Sequence, residues 1–288
     1  MSSIKKYIYE QHWTLGFIEQ PLADIVGGSK YEIKYVKGMP NDRWFADPFI
    51  LDYNDSTIKV LVEEFCYTIR RGRIAQLTID RRNYKLLEYK IILDLSTHLS
   101  FPFIQRKGGT IYISPENSES GSWNMYEYDP HAENLNRIRT IVEKPLTDAI
   151  MTDLFGEELI FATELPDQNG SALNVYSSKG KLLKTISFPS CIARNAGDWF
   201  KINNRIYRPA QDCNGAYGRA VILQEIIHND KGSFDFKDVG RIESTNPSYS
   251  TGCHTFNYYK GLTVVDLHGY RRPLLAKTAE SIRLAIKG

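Results

Sequence analysis

The chain has 288 residues, of which 42% are hydrophobic and 24% are charged, a composition that excludes an intrinsically disordered protein and allows a large core. Its formal net charge of +2 is small and its basic residues are dispersed, so we expect no nucleic-acid partner. No apolar run approaches the roughly 20 residues that span a bilayer, and Met1–Lys6 lacks the apolar core of a signal peptide, which predicts a cytoplasmic protein without a transmembrane segment.

Short β-branched and aromatic runs recur along the chain between clusters of Gly, Asn, Asp and Pro, while long helical periodicity is almost absent. Five hairpin-like units repeat at intervals of roughly 50 residues. Their first strands begin at Asp47, Phe101, Asp148, Asp198 and His254. A second, more polar pair of strands follows each of the first four units, and four strands per repeat predict an all-β, five-bladed β-propeller.

The fifth unit has too few strands after it to complete a blade. The N-terminal runs 12–18 and 31–36 are spare, and we predict that one or both close the ring. Residues 278–287 are predicted to form a short helix with Thr278 as its cap. No linker-like stretch divides the chain, so residues 1–288 are interpreted as a single domain.

The four cysteines predict neither a zinc site nor a disulfide framework. They are Cys66, Cys191, Cys213 and Cys253, and no two of them form a C-x-x-C pair. We therefore expect free thiols. The sequence leaves open whether a metal ion lies among the carboxylates.

In a hairpin the start of the first strand lies beside the end of the second, and the inner hairpins of a propeller point the same end at one face. Charged side chains at these ends are therefore expected to converge in one funnel. The predicted catalytic residues are Asp47, Glu116, Asp148 and Glu164. The predicted substrate-binding residues are His98, Arg194, Asp198, Arg208, Gln211, Asp212, His254, Asp266 and His268.

Asp47 is the leading candidate because a carboxylate in the apolar run 44–51 must find hydrogen bonds, a partner charge or a proton. The alternative is that it only caps a turn before Pro48. A funnel of carboxylates suits glycoside hydrolysis or a hard cation. Arg194 and Arg208 add the option of a bound phosphate, or else neutralise the acids as buried pairs.

Aromatic side chains near the funnel offer stacking faces to a sugar, although most of them are expected to belong to the core. The candidates are Tyr112, Trp123, Trp199, Tyr207 and Tyr217.

Several separated motifs resemble the propeller domain found at the N-terminus of plant glucosamine inositolphosphorylceramide transferase, whose bacterial relatives are associated with surface-polysaccharide synthesis. The motifs are the segments 44–49, 98–103, 113–117, 145–149, 207–212 and 254–257, and the likeness runs from about Trp13 to Pro273. More distantly, Ala46-Asp47-Pro48 resembles the strand that carries the catalytic base in five-bladed glycosidases of glycoside hydrolase family 43.

The resemblance implies a five-bladed ring and a carbohydrate substrate. In those glycosidases an Asp of the first blade is the base, a second Asp tunes the pKa and a Glu is the acid. Asp47 matches the first role, whereas Asp148 and Glu164 or Glu116 match the others only loosely. Phe101-Pro102 has no acid at the corresponding place in blade 2, which counts against hydrolysis.

The leading hypothesis is a glycosyltransferase of bacterial surface-polysaccharide biosynthesis. Asp47 would accept the proton of a glycan acceptor, while Arg194 and Arg208 hold the phosphate of an activated donor, such as a nucleotide sugar or a phosphoribosyl or other furanose donor. A divalent cation accompanying that donor and peripheral membrane association are both compatible with this hypothesis. The alternatives are a glycoside hydrolase with paired carboxylates and a non-catalytic glycan-binding propeller.

Overall fold

The computed structural model describes residues 3–153, 156–228 and 233–287. Within these ranges, twenty β-strands form five antiparallel sheets of four strands each. Each sheet is one blade, so the predicted five-bladed β-propeller is confirmed.

The strands are numbered in chain order. The first two, β1 (Gln11–Ile18) and β2 (Lys34–Tyr35), belong to blade 5. Blade 1 consists of β3 (Arg43–Tyr53), β4 (Thr57–Cys66), β5 (Gly72–Asp80) and β6 (Leu86–Leu93). Blade 2 consists of β7 (Ser100–Lys107), β8 (Thr110–Glu116), β9 (Trp123–Asp129) and β10 (Asn134–Val142).

The remaining strands complete the ring. Blade 3 consists of β11 (Leu146–Thr152), β12 (Leu159–Glu164), β13 (Ala172–Ser177) and β14 (Leu182–Ser187). Blade 4 consists of β15 (Phe200–Ile202), β16 (Arg205–Asp212), β17 (Ala220–His228) and β18 (Phe234–Ile242). Blade 5 is completed by β19 (Phe256–Tyr259) and β20 (Leu262–Tyr270).

The N-terminal strands close the ring, as predicted. Blade 5 has the order β19-β20-β1-β2. Strand β1 pairs antiparallel with β20 from Gln11 opposite Tyr270 to Ile18 opposite Thr263. Main-chain hydrogen bonds within blade 5 therefore join an N-terminal strand to the last strand of the described chain and close the ring.

A shared irregularity marks the first strands of blades 1, 2 and 3. The pairing of each strand with its neighbour skips between Ala46 and Phe49, between Ser100 and Phe103, and between Thr147 and Ile150. The residues at these bulges have left-handed backbones, with φ of 51° at Asp47, 42° at Phe101 and 43° at Asp148. Because aspartate tolerates this conformation better than most residues, the bulge re-aims two carboxylates toward the axis.

Apolar side chains fill the spaces between blades. The rings of Phe49 and Phe101 meet edge to face with centroids 5.0 Å apart, and Trp199 packs on Phe161 at 4.1 Å. Trp123 is fully buried in the same core. Trp123 and Trp199 are therefore core residues and not stacking faces for a sugar.

The helices are α1 (Ser3–Ile8), α2 (Leu22–Val26) and α3 (Pro273–Lys287), with one 3₁₀ turn at Ser118–Ser120. Helix α3 begins five residues before its predicted start because proline is well suited to a first helical turn. Thr278 is not the cap: its hydroxyl donates to the carbonyl of Leu274 inside the helix, at 2.9 Å. No helix in the described part of the chain combines the length and apolarity that crossing a membrane requires.

Candidate functional site

Three buried side chains from blades 1 and 5 form a connected acid–base chain. Nδ1 of His254 lies 2.6 Å from Oδ2 of Asp266, and Nε2 of the same ring lies 3.5 Å from Oδ1 of Asp47. The Asp266 carboxylate also accepts the main-chain N–H groups of His254 and Thr255 at 2.9 Å and that of Asp47 at 3.0 Å. Asp266 thus fixes the imidazole and the backbone that carries Asp47.

The Asp47 carboxylate is held by partners distant in sequence. It accepts a hydrogen bond from the main-chain N–H of Phe101 at 3.0 Å and another from the Thr255 hydroxyl at 2.9 Å. Phe101 belongs to blade 2, and Thr255 immediately precedes the first strand of blade 5. Asp47 therefore joins three blades at the axis, and the simpler interpretation of a local turn cap does not describe its contacts.

The surroundings of these three side chains shift the pKa of each of them. Burial raises the pKa of Asp47 to about 7, although the positive charge of His254 opposes the shift. Burial would lower the pKa of His254, but the carboxylates of Asp266 and Asp47 raise it to about 9. Burial likewise opposes ionisation of Asp266, and the charge and hydrogen bonds of His254 hold the pKa of Asp266 below its ordinary value. His254 is therefore an imidazolium between two acids at neutral pH.

A second cluster, from blades 2, 3 and 4, lies beside the first. The guanidinium of Arg194 binds Asp148 through Nε at 2.5 Å and through a second nitrogen at 3.3 Å, and it reaches Glu116 at 3.4 Å. Gln211 donates to the same Asp148 carboxylate at 2.5 Å, and Glu116 accepts the main-chain N–H of Asp148 at 3.0 Å. The structure thus brings together four of the predicted site residues, with Arg194 neutralising the acids.

A cavity of about 970 Å³ opens next to these clusters. Aromatic side chains dominate its wall, and the polar groups that reach it include Glu63, His98, His254 and His268. The aromatic side chains are those of Tyr7, Tyr9, Trp13, Trp44, Phe65, Tyr67, Tyr217 and Tyr270. Apolar ring faces with a few convergent polar groups are the usual architecture of a sugar-binding site.

Trp13 connects the cavity to the buried acid–base chain. Its indole stacks on His254 with ring centroids 4.1 Å apart and on His268 at 4.4 Å. The edge of His254 also meets Tyr217 at 5.3 Å, and the ring of Tyr217 lies 5.2 Å from the guanidinium carbon of Arg194. Because Tyr217 lines the cavity, it covers Arg194 on that side.

His98 and Glu63 form a second polar pair at the cavity wall. Nδ1 of His98 accepts the main-chain N–H of Gly72 at 3.0 Å, and Nε2 lies 3.1 Å from Oε1 of Glu63. A ring whose Nδ1 accepts a hydrogen bond carries its hydrogen on Nε2. His98 and Glu63 are therefore in close polar contact at the cavity wall, and the geometry leaves Oε1 of Glu63 without a hydrogen-bond partner among the described residues.

Replacing Gly72 with alanine is expected to lower the free energy of unfolding by about 1–3 kcal/mol and to separate His98 from Glu63. An added Cβ would collide with the carbonyl of Leu99 and would lie 2.7 Å from Oε1 of Glu63 and 2.8 Å from Cε1 of His98. Urea denaturation measures the loss. Gly240→Ala is the control, because its Cβ would meet its nearest neighbour at an ordinary 3.5 Å, and equal losses in the two variants would contradict the prediction.

Four predicted site residues lie elsewhere. Arg208 is fully buried, and its guanidinium donates to Asn195, to Gln224 and to the carbonyls of Ile192 and Ala193. Its predicted role as a phosphate clamp is not supported, because these acceptors enclose the charged group.

The other three are acidic. Asp212 pairs with Arg241 at 2.8 Å, and Glu164 accepts from Asn174 at 2.9 Å. Asp198 accepts the main-chain N–H of Trp199 at 2.8 Å, and burial raises its pKa to about 7. Within the part of the chain that the structure describes, none of the three lines the cavity or is hydrogen-bonded to Asp47.

Sequence reasoning missed the residues that shape the cavity. Trp13 belongs to the ring-closing strand β1, and Tyr7 and Tyr9 lie in or next to helix α1. Only Trp13 lies in one of the spare N-terminal runs, which predicted its strand but not its proximity to His254.

One group of described residues brings potential metal-ligand atoms within 4.8 Å of one another, namely Asp47, His254 and Asp266. The arrangement does not fit a metal well. Both oxygens of Asp266 already accept two hydrogen bonds or ion-pair contacts each, and both ring nitrogens of His254 face carboxylates. The positively charged ring of His254 already lies between the two carboxylates, where a metal cation would have to bind.

Comparison with solved structures shows the same architecture in carbohydrate-active enzymes. The chain is similar to CoXyl43, a family-43 β-xylosidase/α-arabinofuranosidase from a compost microbial metagenome, with a TM-score of 0.53, 10% identity and coverage of 78% of this chain and 84% of that one. It is also similar to a GH43_1 enzyme from Xanthomonas citri, with a TM-score of 0.50, 9% identity and coverage of 80% and 88%. At such identities the likeness shows the fold alone.

Sequence comparison is more specific. The chain is 28% identical over 203 residues to glucosamine inositolphosphorylceramide transferase 1 of Oryza sativa subsp. indica, covering 66% of this chain and 27% of the relative. It is 28% identical over 201 residues to the protein of that name in Arabidopsis thaliana, covering 66% and 26%. The chain thus spans about a quarter of the length of these curated relatives. Residues 34–257 match the family model for the N-terminal domain of glucosamine inositolphosphorylceramide transferase 1, and the chain belongs to that family.

Proposed function

We propose that this propeller transfers a sugar from a phosphate-activated donor to a glycan acceptor, as part of bacterial surface-polysaccharide biosynthesis on the cytoplasmic side, with Asp47 as the base. The observation that carries the proposal is the Asp47–His254–Asp266 chain, which reaches a cavity walled by aromatic rings through His254. The relatives are named as transferases that act on a sugar and a phosphorylated lipid, which supports the same class of reaction.

In the proposed reaction the acceptor hydroxyl binds in the cavity next to Ala46 and His254. These two residues line the cavity and lie beside Asp47. With a pKa of about 7, Asp47 is substantially ionised at neutral pH and is still basic enough to accept a proton. Its carboxylate oxygens each accept one hydrogen bond from a protein N–H or O–H donor, which leaves a lone pair for the hydroxyl. His254 would stabilise the carboxylate before transfer, and Asp266 keeps the ring in place.

The donor phosphate requires cations that face the cavity. Arg194 is bound to Asp148 and covered by Tyr217, and Arg208 is enclosed in blade 4. Lys5 and Arg70 do line the cavity. The proposal therefore places the phosphate against Lys5 and Arg70 in place of the two arginines expected from the sequence.

Hydrolysis is the weaker alternative. It needs a second carboxyl group that acts as the acid across an open cleft. Of the acids predicted for that role, Glu116 and Asp148 are tied to Arg194, and Glu164 lies outside the cavity. Glu63 does line the cavity, but its carboxylate lies 3.1 Å from the imidazole of His98. A non-catalytic glycan-binding propeller is the stronger alternative, because Asp47 is only 4% exposed.

One set of assays separates the three functions. The protein is mixed with nucleotide sugars, phosphoribosyl diphosphate or free oligosaccharides such as xylotriose, and thermal melting and product formation are followed. A transferase should melt higher with one phosphorylated donor and form product only when an acceptor is added. Release of reducing sugar without a donor would indicate a hydrolase, and stabilisation by oligosaccharide with no product under any condition would indicate a binding module.

A further inference from the structure

The two terminal helices carry an exposed apolar patch. In helix α1, Ile4 is 70% exposed and Tyr7 is 55% exposed. In helix α3, the exposed fractions are 79% for Leu274, 49% for Leu275 and 55% for Ile282. We call these five side chains the terminal patch. Several large apolar side chains exposed together usually mark an interaction surface.

The terminal patch is held together by specific contacts. Arg272, just before α3, donates to the carbonyl of Tyr7 at 2.9 Å, and its guanidinium carbon lies 3.5 Å from the centre of the Tyr7 ring. Arg271 and Arg272 both bind Glu10 at 3.0 Å. These contacts hold α1 against the start of α3, so the exposed apolar side chains lie on two helices that contact each other.

The charge around the patch is positive. Lys5 of α1 and Lys277 of α3 are both exposed, and neither helix has an acidic residue in its first turn. The nearby Glu10 is already bound by two arginines. An apolar surface with surrounding lysines is complementary to a bilayer that contains anionic lipids.

The patch adjoins the mouth of the cavity. Lys5 and Tyr7 of α1 line the cavity wall, and Tyr9 lines both this cavity and a smaller one of about 180 Å³ that includes Pro273 and Lys277 of α3. A surface that rests on the terminal patch would therefore lie next to the cavity opening.

We propose that the terminal patch docks on an anionic membrane surface and that the cavity receives the polar headgroup of a lipid-linked glycan acceptor from that surface. The apolar side chains would enter the boundary between headgroups and acyl chains, while the lysines contact lipid phosphates. The evidence for membrane docking is the terminal patch itself. The identity of the acceptor rests on the proposed glycosyl transfer.

The test is co-sedimentation of the protein with vesicles of phosphatidylcholine, alone or mixed with phosphatidylglycerol. We expect binding to the mixed vesicles, weakening as salt is added, and at least a ~10-fold loss of partitioning in the variant Leu274→Ser/Leu275→Ser/Ile282→Ser. The control Leu182→Ser/Leu183→Ser changes two side chains on the outer strand of blade 3 that are 44% and 49% exposed, and it should bind like the wild type.

Three results would overturn the docking proposal. They are no binding of the wild type to the mixed vesicles, equal binding by the wild type and the triple variant, and a wild-type protein that is a dimer in solution while the triple variant is a monomer. Circular dichroism checks that each variant is folded. Asp47→Asn should keep vesicle binding, and the triple variant should keep the melting shift with a soluble donor. Loss of vesicle binding with an unchanged donor melting shift would therefore affect only the docking proposal, and the reverse result would affect only the proposed transfer.

Discussion

Replacing Asp266 with asparagine should lower the free energy of unfolding by about 3–5 kcal/mol, because it leaves the buried His254 imidazolium without its closest counter-charge. Asp266 has no exposed surface, and its two oxygens accept from His254, Thr255 and Asp47. Asparagine can accept through only one oxygen and places an N–H₂ group against a donor.

The change should depend on pH in a defined direction. The pKa of His254 is raised to about 9, so the stability gained from its positive charge is complete below about 6.5 and is lost as the pH rises through 9. The difference between wild type and Asp266→Asn in urea denaturation should therefore shrink between pH 7 and pH 10. Asp129→Asn is the control, since that surface carboxylate also accepts two main-chain N–H groups, from His131 and Ala132. A loss at Asp266 no larger than at Asp129 would contradict this account.

Replacing Asp47 with asparagine should reduce turnover by about 100- to 10,000-fold, the range that a positioned general base contributes. Asparagine has nearly the same shape and retains an oxygen that can accept from Phe101 or Thr255. It cannot accept a proton from an acceptor hydroxyl. The folded structure and the affinity for donor should therefore change much less than the rate.

The pH profile of the wild type provides the second measurement. The value of kcat/KM should rise with an apparent pKa of about 7, as Asp47 ionises, and fall near 9 as His254 loses its proton. Asp52→Asn is the matched control, because Asp52 lies on the same strand with an exposed side chain. Unchanged turnover in Asp47→Asn would support a glycan-binding propeller instead of an enzyme.

The fold was predictable because each hairpin repeats the same strand pattern at a similar spacing. Asp47 and Asp148 follow the same repeat, since both occupy the same bulge in their blades. Blade 4 departs from the repeat. Its first strand is reduced to Phe200–Ile202, and Asn195 pairs separately with Ala210, so Arg194, and not Asp198, reaches the axis.

The sequence predicts less well which way a side chain points from its strand and which groups a charged side chain contacts. The Arg208 side chain could have pointed toward the funnel or into the core, and it points into the core, where the carbonyls of Ile192 and Ala193 accept its hydrogens. The cavity arises from contacts between the two ends of the chain, such as Trp13 against His254 and His268. Contacts over such sequence distances leave no local pattern.

The most direct test of the account is a crystal structure of the protein soaked with nucleotide sugars and phosphoribosyl diphosphate. We expect ligand density in the cavity between Trp13 and Trp44, with the sugar next to His254 and the phosphate near Arg70. A phosphorylated donor bound on another face of the propeller, with the aromatic cavity left unfilled, would contradict it.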